Sequence, residues 1–361
     1  MRILFDMGHP AHFHLFRHAL EALREGGHDV EIFARQKDCL PDLLDAAGWA
    51  YRIPPRGSHG LAAKGWEAAR VLREVLGMSR PRPFDIMAGT SVVIGPAARM
   101  TGATSVVFSE DDAAVVRLFS IPAYAAAHYV VTPRCLAHER HGSKHLTYAG
   151  YQELAYLHPK RFRADEGVRG LLGVKPGERY FLVRLVALRA HHDAGQKGLS
   201  AEQARQVVRR LAQAGVVFVS REAGLTADVG ARALPTPPDR IFDVLAGADL
   251  LVCDSQTMAA EAAVLGTPSL RCNTFVGRIS YLEELEHRYG LTEGVRPERF
   301  AELTARIDEW LSTPDLRDRW QRKRRAMLSD CIDLTDWIVD LFGRLARRGA
   351  AREAGAPEPP R

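Results

Sequence analysis

Hydrophobic residues in the first half of the chain alternate between short continuous runs and a wider, helical spacing. Over residues 13–24 the apolar side chains recur every three or four positions, which predicts a helix that ends at the glycine pair following it. Short apolar runs on either side of this helix and further along the chain predict strands. These runs cover residues 2–6, 29–34, 84–88 and 105–109. Strands separated by helices are typical of βαβ units, so this half predicts a parallel sheet.

The same pattern restarts after residues 158–179, a polar stretch punctuated by glycine and proline that we interpret as a connection between domains. Buried strands are then predicted at residues 180–188, 216–220, 249–253 and 269–272. Helical patterns occupy residues 201–213, 241–246 and 258–265 between them. The chain therefore predicts an α/β protein of two tandem Rossmann-like, doubly wound parallel-sheet domains.

The end of the chain reads as helical. Surface helices are predicted at residues 297–311 and 316–327, and residues 334–345 are apolar enough to pack on another element. We predict an N-terminal domain over 1–160, a second domain over 161–330, and a C-terminal helix over 331–346 that crosses back to the first. Residues 347–361, rich in alanine, glycine and proline, are expected to form a disordered tail.

Charge and cysteine content limit which partners and which cellular compartment are expected for this chain. The formal charge is only +5, from 49 Lys and Arg against 44 Asp and Glu in 361 residues, which gives no reason to expect nucleic acid binding. Five scattered cysteines without a C-x-x-C pair favour a reducing compartment and argue against a zinc ribbon. Neither a signal-peptide core nor a long apolar run is present, so we expect a cytoplasmic protein.

The most informative segment is residues 249–268, where a buried strand leads through a polar loop into an alanine-rich helix. Ser255 and Thr257 lie where the helix begins, and free backbone N–H groups at a helix N-terminus bind anions. Glu261 is one turn further on the same face as Thr257, where its carboxylate can accept hydrogen bonds from a ribose diol. The combination predicts a nucleoside-diphosphate site; the alternative is a plain N-cap followed by a solvated glutamate.

Two cations near the start of the second half fit the same ligand. Arg184 interrupts an apolar strand, and a buried arginine needs an anionic partner. Lys197 lies in the loop that follows, where a pyrophosphate would sit, although a solvated loop charge is the simpler interpretation. Such cations stabilise a departing nucleoside diphosphate without a metal ion.

The opening loop supplies candidate catalytic groups on the acceptor side. Gly8, His9 and His12 lie between the first strand and its helix, and a histidine there is a plausible general base, for which His12 is preferred. Glu110 and Asp111 follow a later strand and are the alternative base, or ligands for acceptor hydroxyls, or simply favourable charges at a helix start. The histidine spacing lacks the carboxylates of a zinc enzyme, so neither a metal nor a cofactor is expected.

One helical segment, residues 60–84, is basic and carries a tryptophan away from its apolar stripe. At about 100° per residue Trp66 lies outside the stripe formed by the apolar positions. An exposed tryptophan among arginines suits an anionic bilayer or a lipid-linked acceptor, which would make the protein peripheral on the inner face of the membrane. A helix with an ordinary charged outer face is the alternative.

The segment around residues 249–268 resembles the nucleotide-sugar motif of GT-B glycosyltransferases and UDP-N-acetylglucosamine 2-epimerases. Over residues 1–345 the chain resembles the family called domain of unknown function 354, within that superfamily. The resemblance is carried by Asp6, Pro10, His12, residues 27–30, Arg184, His192, Asp193, residues 198–200, Glu222, Asp254, Ser255, Thr257, Met258, residues 261–263 and residues 265–268. It implies two Rossmann-like domains with a nucleotide-sugar cleft between them, and it adds His192 and Glu222 to the nucleotide-sugar site.

These observations predict a metal-independent inverting glycosyltransferase that uses a nucleoside-diphosphate sugar, with UDP-sugar preferred, in the synthesis of cell-surface polysaccharide or glycolipid. The acceptor is an unidentified hydroxyl compound, with a lipid-linked one among the options, and His12 or Asp111 is the base. One alternative is a UDP-sugar 2-epimerase or hydrolase. The epimerases carry Ser-Gly-Gly where this chain has Ser255-Gln256-Thr257, which counts against it. Another alternative is a GT-B-shaped binding protein without turnover.

Overall fold

Parallel strands form one sheet in each of two units of the chain. The structure is a computed structural model that describes residues 1–54, 61–186, 197–221 and 228–353. Unit 1 consists of Met1–Tyr156 together with Ile332–Arg361, and unit 2 of Leu157–Cys331. Two doubly wound α/β sheets are what the spacing of apolar residues predicts, and the predicted fold class is confirmed.

The strands within the described residues all pair in parallel. The sheet of unit 1 has the order β3-β2-β1-β4-β5-β6-β7, and that of unit 2 the order β10-β9-β8-β11-β12-β13. The first sheet contains β1 (Arg2–Met7), β2 (Asp29–Ala34), β3 (Tyr51–Arg52), β4 (Ile86–Gly89), β5 (Thr104–Phe108), β6 (Tyr129–Pro133) and β7 (His145–Tyr148). The second contains β8 (Tyr180–Leu185), β9 (Val216–Arg221), β10 (Arg232–Ala233), β11 (Leu250–Cys253), β12 (Ser269–Cys272) and β13 (Glu293–Val295).

Helices connect the strands and cover the sheets. Those of the first part of the chain are α1 (Pro10–Glu25), α2 (Leu40–Ala46), α3 (Leu61–Ser79), α4 (Ile94–Thr101), α5 (Arg117–Ala126) and α6 (Val168–Leu171). They are followed by α7 (Ala201–Leu211), α8 (Ile241–Gly247), α9 (Gln256–Leu265), α10 (Ser280–His287), α11 (Phe300–Leu311), α12 (Leu316–Asp330) and α13 (Leu334–Glu353). None of the helices described combines the length and apolar character needed to span a bilayer.

In each sheet the chain reverses its direction of travel next to the first strand. In unit 1 it moves from β1 to β2 and β3, then returns to β4 on the other side of β1; in unit 2 the reversal falls between β8 and β11. Right-handed crossovers then place α1 and α2 on one face of the first sheet and α3, α4 and α5 on the other. Ligands of open α/β sheets bind at such a reversal, outside the carboxyl ends of the strands.

The last helix, α13, belongs to unit 1. It packs against α1, and Phe342 extends a stack of rings through Phe5 and Phe16 to Phe108, with centroids 5.1 to 5.8 Å apart. The helix runs to Glu353, so residues 347–353 are helical where a tail was predicted. Alanine and arginine, which dominate this stretch, are strong helix formers, and they extend a helix that packing has already nucleated.

The stretch predicted as an interdomain connection is packed rather than free. Residues from Leu157 onward belong to unit 2, and α6 packs against α8. The backbone N–H of Asp165 donates to Asp243 Oδ1 at 2.8 Å, and Val168 is buried. The polar composition of residues 158–179 therefore reflects a helix and turns on the surface of unit 2.

Candidate functional site

Arg184 stands near the carboxyl end of β8, next to the reversal of the second sheet. It lies opposite Cys253 of β11 and Ser220 of β9. Its Nη1 donates to Ser220 Oγ at 2.7 Å, and its charge also acts on the buried carboxylate of Asp254, so a hydroxyl and an anion both lie near this arginine. The remaining guanidinium donors have no partner among the described residues. A half-buried arginine with donors to spare is suited to a ligand anion.

The neighbouring strand β11 leads directly into the N-terminus of α9. Ser255 caps this helix, and its side chain accepts a hydrogen bond from the backbone N–H of Met258 at 3.2 Å. The N-cap role proposed as the alternative for Ser255 is therefore observed. Thr257 is partly exposed, and its hydroxyl has no partner among the described residues. The first N–H groups of the helix and the Thr257 hydroxyl together offer donors to an anion.

Glu261 is the only ionisable residue of α9, a helix that is buried from Met258 to Leu265. The side chain is 7% exposed, so the alternative in which Glu261 is solvated is wrong. Alanines on the other positions let the helix fit between its neighbours, and a carboxylate there is unfavourable unless it is hydrogen-bonded. Its i, i+4 relation to Thr257 puts it on the helix face that begins at the N-terminus of α9.

Asp254 is a residue of this region that reasoning from the sequence left without a role. It is 2% exposed; its Oδ1 accepts from the backbone N–H of Val186 at 2.8 Å, and the carboxylate also accepts from the N–H of Leu199. Burial raises the pKa of Asp254 to about 7, against the backbone hydrogen bonds and the charge of Arg184, which lower it. One side chain thus ties together both ends of the loop that follows β8.

Two further residues hold this arrangement from β12. Asn273 is buried; its Nδ2 donates to the carbonyl of Asp254 at 2.9 Å, and its Oδ1 accepts from the N–H of Phe275 at 3.0 Å. The backbone of Lys197 exchanges two hydrogen bonds of 3.0 Å with Thr274, which leaves the lysine side chain exposed. An aspartate directly after a buried strand was the available sequence signal, but its partners are 55 to 68 residues away in the chain.

Two residues of the predicted nucleotide-sugar set, His192 and Glu222, lie outside the described residues.

In unit 1 the carboxyl end of β1 carries a buried ion pair. Asp6 is 1% exposed, and Arg35, directly after β2, places Nη1 3.1 Å from Oδ1 and Nη2 3.3 Å from Oδ2. On the neighbouring strand β4, Gly89 lies opposite Asp6. The pair fixes the strand end from which the opening loop departs.

The opening loop uses two histidines as hydrogen-bond acceptors. His9 caps α1, and its Nδ1 accepts from the N–H of Ala11 at 3.2 Å. His12 Nδ1 accepts from the N–H of Gly8 at 3.0 Å, and burial, with help from nearby cations, lowers the pKa of His12 to about 3. The ring is therefore neutral at pH 7 with its hydrogen on Nε2. In this arrangement Nε2 is a donor, which favours a carboxylate over His12 as the base.

Acid is expected to destabilise unit 1 through this histidine and its neighbour. Burial also lowers the pKa of His14 to about 3. Because the unfolded chain takes up protons below pH 6.5 and the folded rings do not, stability falls as the pH drops from 6.5 toward 3, by up to about 2 kcal/mol per ring at pH 5. Urea unfolding at pH 7.5 and pH 5 measures this loss.

The variant His12→Asn keeps an acceptor for the Gly8 N–H but cannot titrate, so it should lose less stability at pH 5 than the wild type. His138→Asn, at an exposed position of the same unit, is the matched control and should behave as wild type. Equal losses in wild type and His12→Asn would contradict the assignment.

Glu110 and Asp111 follow β5 and are partly buried. Burial raises the pKa of Tyr124 and Tyr148, and nearby carboxylates act in the same direction, Glu139 and then Asp111 on Tyr124 and Glu110 on Tyr148, so both phenols remain protonated donors. The structure therefore places carboxylates and hydroxyl donors together at this strand end.

A third acidic residue of the same turn, Asp112, belongs to a group of possible metal ligands. Asp112, His138 and Glu139 each bring one ligand-type atom within 4.8 Å of the others. Glu139 already accepts from the N–H of Ala113 at 2.6 Å and pairs with His141 at 3.0 Å. Both of its oxygens are thus engaged by protein donors, and the metal independence of the reaction stays a prediction.

Known proteins resemble this chain in structure and not detectably in sequence. No protein family and no curated protein matches the sequence. Spinosyn forosaminyltransferase SpnP superposes with a TM-score of 0.64 at 16% identity, over 96% of this chain and 99% of the other. The UDP co-structure of S. aureus MnaA superposes with a TM-score of 0.67 at 11% identity, over 100% and 99%.

The UDP-GlcNAc 2-epimerase from Methanocaldococcus jannaschii superposes with a TM-score of 0.63 at 13% identity, over 87% of this chain and 94% of the other. At such identities a likeness speaks to the fold and not to the reaction. The chain therefore has a fold of the GT-B type, shared by glycosyltransferases and UDP-sugar 2-epimerases, with one Rossmann-like sheet in each unit.

Proposed function

We propose that this chain is a metal-independent, inverting glycosyltransferase that uses a nucleoside-diphosphate sugar. The observation that carries the proposal is Glu261, a buried carboxylate one turn after the N-terminus of α9, the helix that follows β11, and β11 pairs with the strand of Arg184. A cation and helix N–H groups suit a diphosphate, and a buried carboxylate suits a ribose diol. The similarity to a UDP co-structure is consistent with this ligand.

On the donor side, unit 2 would bind the nucleotide through its diphosphate and its ribose. Arg184, the N–H groups of α9 and the Thr257 hydroxyl would donate to the diphosphate, and Glu261 would accept from the ribose. We assign Lys197, His192 and Glu222 to the same ligand as further contacts. As the sugar leaves, the diphosphate gains negative charge, and these fixed donors stabilise it without a metal ion.

On the acceptor side, unit 1 would supply the base. Asp111 or Glu110 would take the proton of the acceptor hydroxyl while that oxygen attacks the anomeric carbon and the bond to the diphosphate breaks. A single displacement inverts the anomeric configuration. His12 would act through its Nε2 hydrogen as a donor to the acceptor or the sugar, and Gly8 and His9 would position the loop that carries it.

A UDP-sugar 2-epimerase or hydrolase is the second candidate, favoured by the structural similarity to a 2-epimerase. Against it, Gln256 and Thr257 bring side chains to the position where the epimerases have two glycines. Incubation with UDP-sugars alone distinguishes the two: an epimerase or hydrolase consumes the sugar nucleotide without an acceptor, and a transferase does not. Nucleotide binding with no turnover under any acceptor would instead indicate a binding protein.

The nucleotide site is tested by calorimetric titration of the full chain with UDP, dTDP and GDP. We expect one of them to bind and Glu261→Gln to weaken its binding 10- to 100-fold, because a hydrogen bond to a charged group contributes about 1.5–3 kcal/mol. Glu202→Gln, which alters an exposed glutamate on α7 of the same unit, is the matched control and should bind as wild type. Failure of every nucleoside diphosphate to bind the wild type would overturn the proposal.

A further inference from the structure

One helix of unit 1, α5, presents an apolar face to solvent. The exposed positions of this helix are Arg117, Leu118, Ile121, Pro122 and Ala125, which we call the α5 face. Leu118 is 71% exposed and Ile121 67%. The opposite side of the helix packs into the core, and α5 contains no acidic residue. Large apolar side chains adjacent on one helix face mark an interaction surface, whereas single exposed ones do not.

Cations lie at both ends of the α5 face. Arg117 begins the helix, and Arg99 closes it, with its Nε donating to the carbonyl of Ala126 at 2.8 Å while the side chain stays exposed. Lys144 donates to the carbonyl of Tyr124 in the last turn. The helix dipole favours Arg99 and Lys144 at the C-terminal end, and with Arg117 at the other end these cations border the apolar side chains.

An exposed tryptophan, Trp66, lies at the same end of the same layer of helices. Trp66 is 79% exposed and belongs to the second turn of α3. In a parallel α/β sheet the connecting helices run against the strands, so α3 and α5 both begin at the carboxyl edge. They cover one face of the sheet on either side of α4. Trp66 and Leu118 therefore sit near the same edge of unit 1.

We propose that the α5 face, with Trp66 beside it, binds the surface of a bilayer that contains anionic lipids. Apolar side chains bordered by arginine and lysine match an interface in which acyl chains lie below acidic headgroups. A second copy of the chain fits less well, because one ten-residue helix face, about 15 Å long, presents far less than the roughly 800 Å² per partner of a stable interface.

The location has a consequence for the acceptor, and this consequence alone rests on the proposed function. Residues 110–112, which include the proposed base, immediately precede α5 in the chain. A bilayer on the α5 face therefore lies next to the acceptor side of unit 1. The acceptor class favoured by this arrangement is a hydroxyl compound held in the membrane by a lipid.

The binding is tested by flotation of the full chain with vesicles of phosphatidylcholine alone and with about 30% phosphatidylglycerol. We expect binding to the anionic vesicles that weakens in high salt, and a loss of at least tenfold for the double variant Leu118→Glu, Ile121→Glu. Arg117→Gln should weaken binding about fivefold, the effect of one cation near an anionic surface. The pair Leu118→Ser, Ile121→Ser adds no charge and should also weaken binding.

Leu171→Glu is the matched control, since Leu171 is 58% exposed but lies on α6 of unit 2; it should bind vesicles as wild type. Sedimentation equilibrium without lipid tests the other occupant of the surface. The proposal is overturned if wild type does not float with anionic vesicles, if Leu171→Glu loses as much as the α5 variants, or if wild type is a dimer that Leu118→Glu, Ile121→Glu converts to a monomer. Vesicle binding is measured without any nucleotide, so its failure would not affect the proposed function. Nucleotide titration of the same variants tests the nucleotide site separately.

Discussion

Substitution of Gly89 by alanine is expected to destabilise unit 1 by about 3 kcal/mol or more. A Cβ at this last residue of β4 would lie 2.2 Å from the carbonyl oxygen of Asp6, on the neighbouring strand β1. The obstructing atom belongs to the backbone, so no side-chain rotation relieves the overlap. The φ angle of +151° adds strain, because side chains other than glycine rarely adopt it.

Urea unfolding of Gly89→Ala measures the effect. Gly102→Ala is the matched control, since Gly102 also has a positive φ, of +80°, but nothing lies within 4 Å of the added Cβ. It should lose only about 1–2 kcal/mol, the strain of the left-handed conformation. Similar losses for the two variants would show that the close approach of β1 and β4 is relieved at little cost.

The close approach also concerns function. Asp6 and its partner Arg35 hold the strand end from which the loop of Gly8, His9 and His12 departs. A sheet that must widen between β1 and β4 moves that loop, so Gly89→Ala is also expected to impair any chemistry performed there.

The fold was accessible from the sequence because apolar runs and helical spacing report directly on burial. β2 and β12 have the predicted bounds, and α9 begins two residues before the prediction. The end of α13 was not accessible, because the alanine, glycine and proline content of residues 347–361 suggested a tail. Helix propensity acts there on a helix that its contacts with α1 already hold in place.

The candidate site was accessible only in part. Ser255, Thr257 and Glu261 are close together in sequence, so helical geometry alone is enough to relate them. The protonation state of His12 could not be predicted from the sequence, because it depends on the hydrogen bond from the N–H of Gly8 and on burial. Pairing over long distances in the chain is a property of the folded sheet, and spacing does not report on it.

Asp254 is the clearest case of such a long-range role, and its removal is expected to affect unit 2 strongly. In Asp254→Ala the part-buried N–H groups of Val186 and Leu199 lose their acceptor, and unpaired donors of this kind cost about 1–3 kcal/mol each when fully buried, so we expect a loss of about 2–4 kcal/mol together. Gly198→Ala should act in the same direction, because a Cβ there would lie 2.4 Å from Asp254 Oδ2. Nucleotide affinity should fall at least tenfold, since the loop follows the strand of Arg184.

Asp254→Asn separates the hydrogen bonds from the charge. Burial raises the pKa of Asp254 from 3.8 to about 7, so between these values the folded chain holds a proton that the unfolded chain releases. The stability contributed by this residue therefore declines as the pH rises from 4 to 7, and the asparagine variant, which does not titrate, lacks that decline. Urea unfolding at pH 4.5, 5.5 and 7 should show that the free energy of unfolding of the wild type, relative to that of Asp254→Asn, falls as the pH rises. A difference that stays constant would mean that Asp254 is ionised throughout, and that its contacts with the loop ends are those of a carboxylate anion.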